Sequence, residues 1–184
     1  MEILVIDIET TGFLEKTDAI VEIGLVLVDT DTQKVKTLFN KVVKDDNFDP
    51  KKHSSAWIFS NSDLTVKKVM RAKPLKNYYE ELQNHFNCYF ITAFNKVFDL
   101  RFMRARGFIC QDTKCIMMAA MDYVPVKNKL GGKKWPSVQE AHDHLFPDES
   151  YVEKHRGVDD ALHEAKILLK MCELKAKNQQ QKLL

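Results

Sequence analysis

The stretch Ile3-Leu4-Val5-Ile6-Asp7-Ile8-Glu9-Thr10-Thr11-Gly12 decides how the rest of the chain is read. Its apolar run predicts a buried strand. Side chains alternate along a strand, so Asp7 and Glu9 fall on one face, two residues apart. Two neighbouring carboxylates on a buried strand repel each other and lose hydration. A bound divalent cation offsets that cost; the alternative is a strand end whose acids are solvated. Thr10-Thr11-Gly12 predicts a sharp turn where backbone can come close to a ligand.

The 184 residues suffice for one domain with a sizeable core. Hydrophobic residues make up 45% and charged residues 29%, an ordinary balance for a globular protein. There is no apolar run of bilayer length and no signal-peptide pattern at the N-terminus, so we expect a cytoplasmic protein with no membrane partner. Cys88, Cys110, Cys115 and Cys172 form no CxxC pair, which predicts reduced thiols and no zinc site. A formal charge of +2 does not by itself select nucleic acid. Two local clusters are more informative: Lys127, Lys129, Lys133 and Lys134 in one loop, and Arg101, Arg104 and Arg106 on one short helix. Each is a candidate phosphate contact or a solvated face.

Strands are expected at 3–8, 20–29, 34–44 and 88–93, with a short fifth near 108–111. Ser62 is the expected cap of a helix over 63–71, and Pro74 the first-turn residue of one over 75–87. Further helices are expected from Phe98 to Arg106, over 114–121 behind Asp112-Thr113, from Ser137 to Leu145, and over 157–176. In the last, Val158, Ala161, Ala165, Leu168, Leu169 and Cys172 form an apolar stripe. Strands followed by alternating strands and helices predict an α/β domain, a mixed five-stranded sheet flanked by helices. The domain is expected to occupy 1–176, with 177–184 a disordered polar tail.

Two further acids stand at element junctions. Asp99 follows the strand at 88–93 and opens a helix, a position open sheets use for ligands, although a lone acid there is more often a helix cap. His155-Arg156-Gly157-Val158-Asp159-Asp160-Ala161 places a histidine just before the last helix and acids in its first turn. Helical phase does not separate Asp159 from Asp160, since both lie off the apolar stripe.

Taken in order, these segments resemble the DnaQ-like 3′–5′ exonucleases of the DEDDh type, which have the ribonuclease-H-like fold. Asp7-x-Glu9-x-x-Gly12 resembles the first motif, Asn95-x-x-Phe98-Asp99 the second, and His155-x-x-x-x-Asp160-Ala161 the third. Ile20-Val21-Glu22-Ile23-Gly24 and Asp112-Thr113 match secondary landmarks, and the resemblance spans nearly the whole chain. Phe94 stands where the family often has histidine, which implies altered packing. The family spacing selects Asp160 over Asp159.

The resemblance implies a site with two Mg²⁺ or Mn²⁺ ions. Asp7 would bridge the ions, and Glu9, Asp99 and Asp160 would hold them directly or through water. The ions would activate water and stabilise the leaving 3′ oxygen. His155 would be the general base, on a loop that orders when substrate binds. Thr10, Thr11 and Gly12 would meet the terminal nucleotide. Phe13 is either an apolar wedge against the last bases or a core aromatic near a turn. Asn95 either orients the second-motif loop, contacts substrate, or is a simple turn residue.

The implied partners are single-stranded DNA or RNA 3′ ends, with nucleoside 5′-monophosphates as products. DNA is slightly preferred, and RNA trimming by an exoribonuclease or oligoribonuclease-like enzyme is the alternative. A non-catalytic binding module would have lost a carboxylate or the histidine, and neither is lost. The long tail that joins proofreading subunits to a polymerase is missing, so a free-standing enzyme is expected. Gln180 to Leu184 loosely resembles a sliding-clamp peptide.

Overall fold

The computed structural model describes residues 1–181. The elements run β1 (Glu2–Thr10), β2 (Ile20–Asp29), β3 (Lys34–Val42), α1 (Pro50–His53), α2 (Trp57–Asn61), α3 (Val66–Arg71), a 3-10 turn at Leu75–Tyr78, α4 (Tyr79–Cys88), β4 (Phe90–Thr92), α5 (Lys96–Ala105), α6 (Ile116–Ala120), α7 (Val138–Leu145) and α8 (Gly157–Gln181). The strands form one sheet in the order β3-β2-β1-β4. β1 pairs antiparallel with β2 and parallel with β4. The α/β architecture with a mixed sheet is as expected.

Among the described residues the sheet has four strands, not five. The segment near 108–111 reaches the sheet only as an isolated parallel bridge between Ile91 and Asp112. Ile91 N–H donates to the Gln111 carbonyl at 2.8 Å, and Thr113 N–H to the Ile91 carbonyl at 2.9 Å. Pairing goes no further because the Gln83 side chain takes both backbone groups of Ile109, at 2.9 and 3.0 Å. A side-chain amide there replaces the next rung of a ladder.

Several helix boundaries also differ: the helix expected over 75–87 is a 3-10 turn followed by α4, and α5 begins at Lys96, not Phe98. The helix expected from Ser62 begins at Val66, where the Thr65 hydroxyl accepts from Lys68 N–H. Ser62 instead ends α2 by donating to the Ile58 carbonyl. Asp112 does not cap α6, because Lys96 and Arg104 hold its carboxylate. Helix α8 runs through Gln181, past the point where a polar tail was expected. The remainder of that tail, and most of the clamp-like peptide, lie outside the described residues.

Alternation along β1 divides the core between the two faces of the sheet. Leu4, Ile6 and Ile8 pack with Ile23, Leu25, Leu82, Phe86 and Phe102 on one face. Val5 packs with Val26, Ala161, Ala165 and Ile167 on the other, the face covered by α8. Asp7 and Glu9 have the parity of Val5, so they point toward α8.

Helix α8 can approach this face because two glycines meet there. Gly24, paired with Asp7 across the ladder, lies against the first residue of α8. A Cβ on Gly24 would stand 2.1 Å from the Gly157 carbonyl carbon, and one on Gly157 would stand 2.7 Å from Gly24 N. Both obstacles are backbone, so neither can swing aside. Gly24→Ala should therefore lower unfolding stability by about 2–3 kcal/mol, measured by urea denaturation. An unchanged midpoint would show that α8 does not depend on this contact.

Candidate active site

The site forms where β1, the start of α5 and the start of α8 converge. Ligand atoms of Glu9, His155 and Asp160 all lie within 4.8 Å of one another. Asp7, two residues before Glu9, has a buried Oδ2 with no hydrogen-bond partner. Asp99 is buried in the first turn of α5, and its Oδ1 accepts from Ile8 N–H at 3.2 Å. That bond ties the second-motif acid to the strand carrying the first pair.

Asp160 is buried, and both of its oxygens are held. Oδ1 accepts from the Tyr151 hydroxyl at 3.1 Å and Oδ2 from Arg156 N–H at 2.8 Å. Asp159 turns elsewhere, toward Lys154 at 3.0 Å and His163 at 3.8 Å. The structure thus separates the two adjacent acids.

A fifth carboxylate escaped the sequence reading. Glu164 is buried one turn after Asp160, and its Oε2 accepts from Phe94 N–H at 3.0 Å. It fastens α8 to the segment that leads into Asn95 and Asp99. The available signal was its i,i+4 spacing from Asp160, which puts both acids on one face.

Glu22 was legible only as a landmark, and its task is now explicit. It is buried, and its carboxylate receives Arg156 Nη2 at 2.6 Å, Arg156 Nε at 2.8 Å and Gly157 N–H at 3.0 Å. This two-pronged pair fixes the third motif to β2. Arg156 also reaches Asp63.

His155 lies in the irregular segment before α8 and takes a left-handed backbone conformation, φ 53°. Its ring meets the exposed Trp57 edge-to-face, with centroids 4.6 Å apart. Trp57 was not anticipated as a neighbour of the site, since nothing in the sequence links α2 to residue 155.

The first-motif turn is built from its own polar groups. Thr10 Oγ1 donates to the Gly12 carbonyl at 2.7 Å, and Thr11 Oγ1 accepts from Ala19 N–H at 2.9 Å. A Cβ on Gly12 would stand 2.3 Å from Asp18 Oδ2. Phe13 is 78% exposed, so the core-aromatic alternative fails. Its ring contacts Phe98 edge-to-face at 6.1 Å. A cavity of about 170 Å³ opens beside Glu9, bounded by Thr10, Gly12, Phe13, Trp57 and Phe98. Asn95 is exposed at the start of α5 and does not line this cavity. Phe94, expected to alter packing, is buried in the core under α8.

Buried and crowded together, the acids resist ionisation, with His155 opposing the shift at Asp160. Burial, then the charges of Glu9, Glu164, Asp99 and Asp160, hold Asp7 well above the usual carboxylate range. Burial, then Asp160, Glu22, Glu153 and Asp99, push Glu9 up to about 9. Burial raises Asp99 to about 7, against the opposing Ile8 N–H bond. Asp160 and Glu164 are raised first by burial as well. A set of oxygen donors and one imidazole, with an orphaned buried oxygen, suits a hard divalent cation.

A family model described as exonuclease matches residues 4–168. No curated protein matches the chain. The nuclease domain of 3′hExo, a DEDDh family member solved bound to rAMP, superposes with a TM-score of 0.71 at 18% identity, covering 94% of this chain and 92% of that one. A full-length 3′-exonuclease gives 0.71 at 17%, covering 94% of this chain and 60% of that one. E. coli exonuclease I in complex with a dA16 oligonucleotide gives 0.64 at 16%, covering 92% and 40%.

The raised acids fix the pH dependence of the metal-free protein. A carboxyl whose folded value lies above its unfolded one favours the folded state while protonated. That stability is complete below about pH 4 and is lost as pH rises through the folded values of about 7 and 9. In chelator, the melting temperature should fall between pH 5 and pH 9, roughly, and Mn²⁺ should restore it. Glu164→Gln keeps an acceptor for Phe94 N–H and removes one charge, so its decline should be shallower. A flat profile in chelator would mean the acids do not repel one another as described.

Proposed function

The chain belongs to the exonuclease family, in its DnaQ-like DEDDh 3′–5′ group with the ribonuclease-H-like fold, and from that premise we propose that it trims single-stranded nucleic acid one nucleotide at a time from the 3′ end. The observation that carries this reading is the convergence of Glu9, His155 and Asp160 beside the unpartnered oxygen of Asp7. We assign the catalytic domain to residues 1–176.

In this reading, Asp7, Glu9, Asp99 and Asp160 hold two divalent ions, Mg²⁺ or Mn²⁺. When bound, the ions supply Lewis-acid stabilisation of the charge that develops on the scissile phosphate and the departing 3′ oxygen. His155 accepts a proton from the attacking water. The water oxygen bonds to phosphorus, the P–O3′ bond breaks, and the products are a nucleoside 5′-monophosphate and a chain with a new 3′ hydroxyl. Gly12 and the threonines beside it meet the terminal nucleotide. Phe13, exposed and braced by Phe98, stacks on the last base. Asn95 contacts the strand from the start of α5.

Both sugars fit this reading. One structural neighbour is described as recognising the 3′ end of a histone mRNA stem-loop, and another as holding a DNA oligonucleotide. We put DNA first and RNA as the competing substrate.

Purified protein with Mn²⁺ should shorten 5′-labelled single-stranded DNA or RNA stepwise from the 3′ end. His155→Ala should lower kcat by about 10²–10⁴-fold, the range of a lost general base. Asp7→Ala should abolish turnover and weaken Mn²⁺ binding by calorimetry. Undiminished turnover in Asp7→Ala would overturn the assignment, and the ratio of rates on the two sugars selects the substrate.

A further inference from the structure

Two basic clusters stood out in the sequence, and the structure treats them oppositely. The arginines on α5 and at its C-terminal cap are engaged within the protein. Arg101 donates to the Phe13 carbonyl at 2.5 Å and faces Glu15 at 3.8 Å. Arg104 pairs with Asp112 at 2.8 Å, and Arg106 with the buried Asp45 at 2.8 Å. Lys96 also pairs with Asp112. These side chains brace the first-motif turn and the sheet edge.

The lysine loop is different. Lys127 and Lys133 face each other across an antiparallel bridge, making the loop a small hairpin. Its tip is organised: Asn128 Oδ1 accepts from Leu130 N–H at 2.9 Å and Gly132 N–H at 3.0 Å, and Gly131 has φ 80°. Lys134 pairs with Glu140 at 2.6 Å. Lys127, Lys129 and Lys133 are exposed and make no ion pair among the described residues. Trp135, next in sequence to Lys134, is 61% exposed. Lys127, Lys133 and Lys134 line a groove in which Asp122 is the one acid among the described residues. Unpaired ammonium groups next to an exposed aromatic plane match a flexible polyanion with stackable bases.

We propose that this hairpin is a second contact surface for the single-stranded nucleic-acid substrate, gripping phosphates upstream of the cleaved end, with Trp135 stacking on a base. The inference rests on the exonuclease reading. The hairpin leads directly into α7, whose His142 ring lies 4.9 Å from Tyr151, and Tyr151 bonds Asp160. The hairpin contributes no residue to the acidic cluster, so a strand must extend several nucleotides beyond the cleaved end to reach it. Long strands therefore touch the lysines and short ones do not.

The test compares wild type with the triple variant Lys127→Ala/Lys129→Ala/Lys133→Ala and with Trp135→Ala. Binding of fluorescein-labelled 20-mer oligodeoxythymidylate and oligouridylate is followed by anisotropy in chelator over a range of salt. Cleavage of a 3-mer and a 20-mer is followed with Mn²⁺. The triple variant should bind the 20-mer about tenfold more weakly, with a salt slope smaller by about 2, since each single-strand phosphate contact contributes about 0.7. Its kcat, and its KM for the 3-mer, should match wild type. Trp135→Ala should weaken 20-mer binding without changing the slope. Equal affinity and slope in the triple variant would overturn the proposal, as would an equal loss on the 3-mer. A wild type that binds the 20-mer and leaves it uncut sinks the exonuclease reading alone.

Discussion

The contact on which the site depends is the meeting of Gly24 and Gly157. Helix α8 brings Asp160 and Glu164 to the sheet, and it can do so only where neither backbone carries a side chain. Glu22 then fixes the angle of approach, because its one carboxylate receives both the Arg156 guanidinium and the first N–H of the helix. Glu22 is the ladder partner of Glu9, and Gly24 that of Asp7. A single register between β1 and β2 therefore sets both halves of the site. Slipping β1 by one residue against β2 would turn Asp7 and Glu9 to the face opposite Gly24 and α8.

The arrangement is costly for the protein alone. Five buried or half-buried carboxylates crowd one site, and Asp7, Glu9, Asp99, Asp160 and Glu164 are all pushed toward their neutral forms. The fold tolerates them because backbone and hydroxyl donors hold particular oxygens: Ile8 N–H for Asp99, Tyr151 and Arg156 N–H for Asp160, Phe94 N–H for Glu164. Asp7 Oδ2 receives none. The strain is therefore concentrated on the atom that a cation would relieve, a pattern expected where function opposes stability.

Much of this was readable in the chain. β1 and β2 were legible because their β-branched runs are buried by packing on both faces. The fifth strand was misread because Gln83, far away in sequence, satisfies the backbone that would have paired. The face of α8 was read too narrowly. Of the expected stripe, Ala161 and Ala165 are buried and Val158, Leu168 and Leu169 pack half-buried against the same core. The buried face also takes in Asp160, Glu164, Ile167 and Met171. Two acids belong to the inner face of that helix, and hydrophobic periodicity counts them as outer. Helical phase did distinguish Asp160 from Asp159 once Glu164 was placed beside it. Trp57 was invisible because α2 reaches residue 155 only through the folded chain.

The segment before α8 shows how a histidine can be placed without regular structure. At one end Tyr151 is buried, bonded to Asp160 and packed against His142 and His163 with centroids 4.9 and 3.9 Å away. At the other, Arg156 is clamped to Glu22. Only Val152 to His155 lie between these anchors, too short a span to wander. The chain closes it with a left-handed residue, and that residue is His155. Histidine enters this conformation more readily than β-branched residues do. The turn that returns the chain to the helix is thus the one that aims the imidazole at Glu9 and Asp160, with Trp57 on its other side. The position of the proposed base follows from the same Glu22–Arg156 pair that seats the helix, so the third motif acts as one mechanical unit.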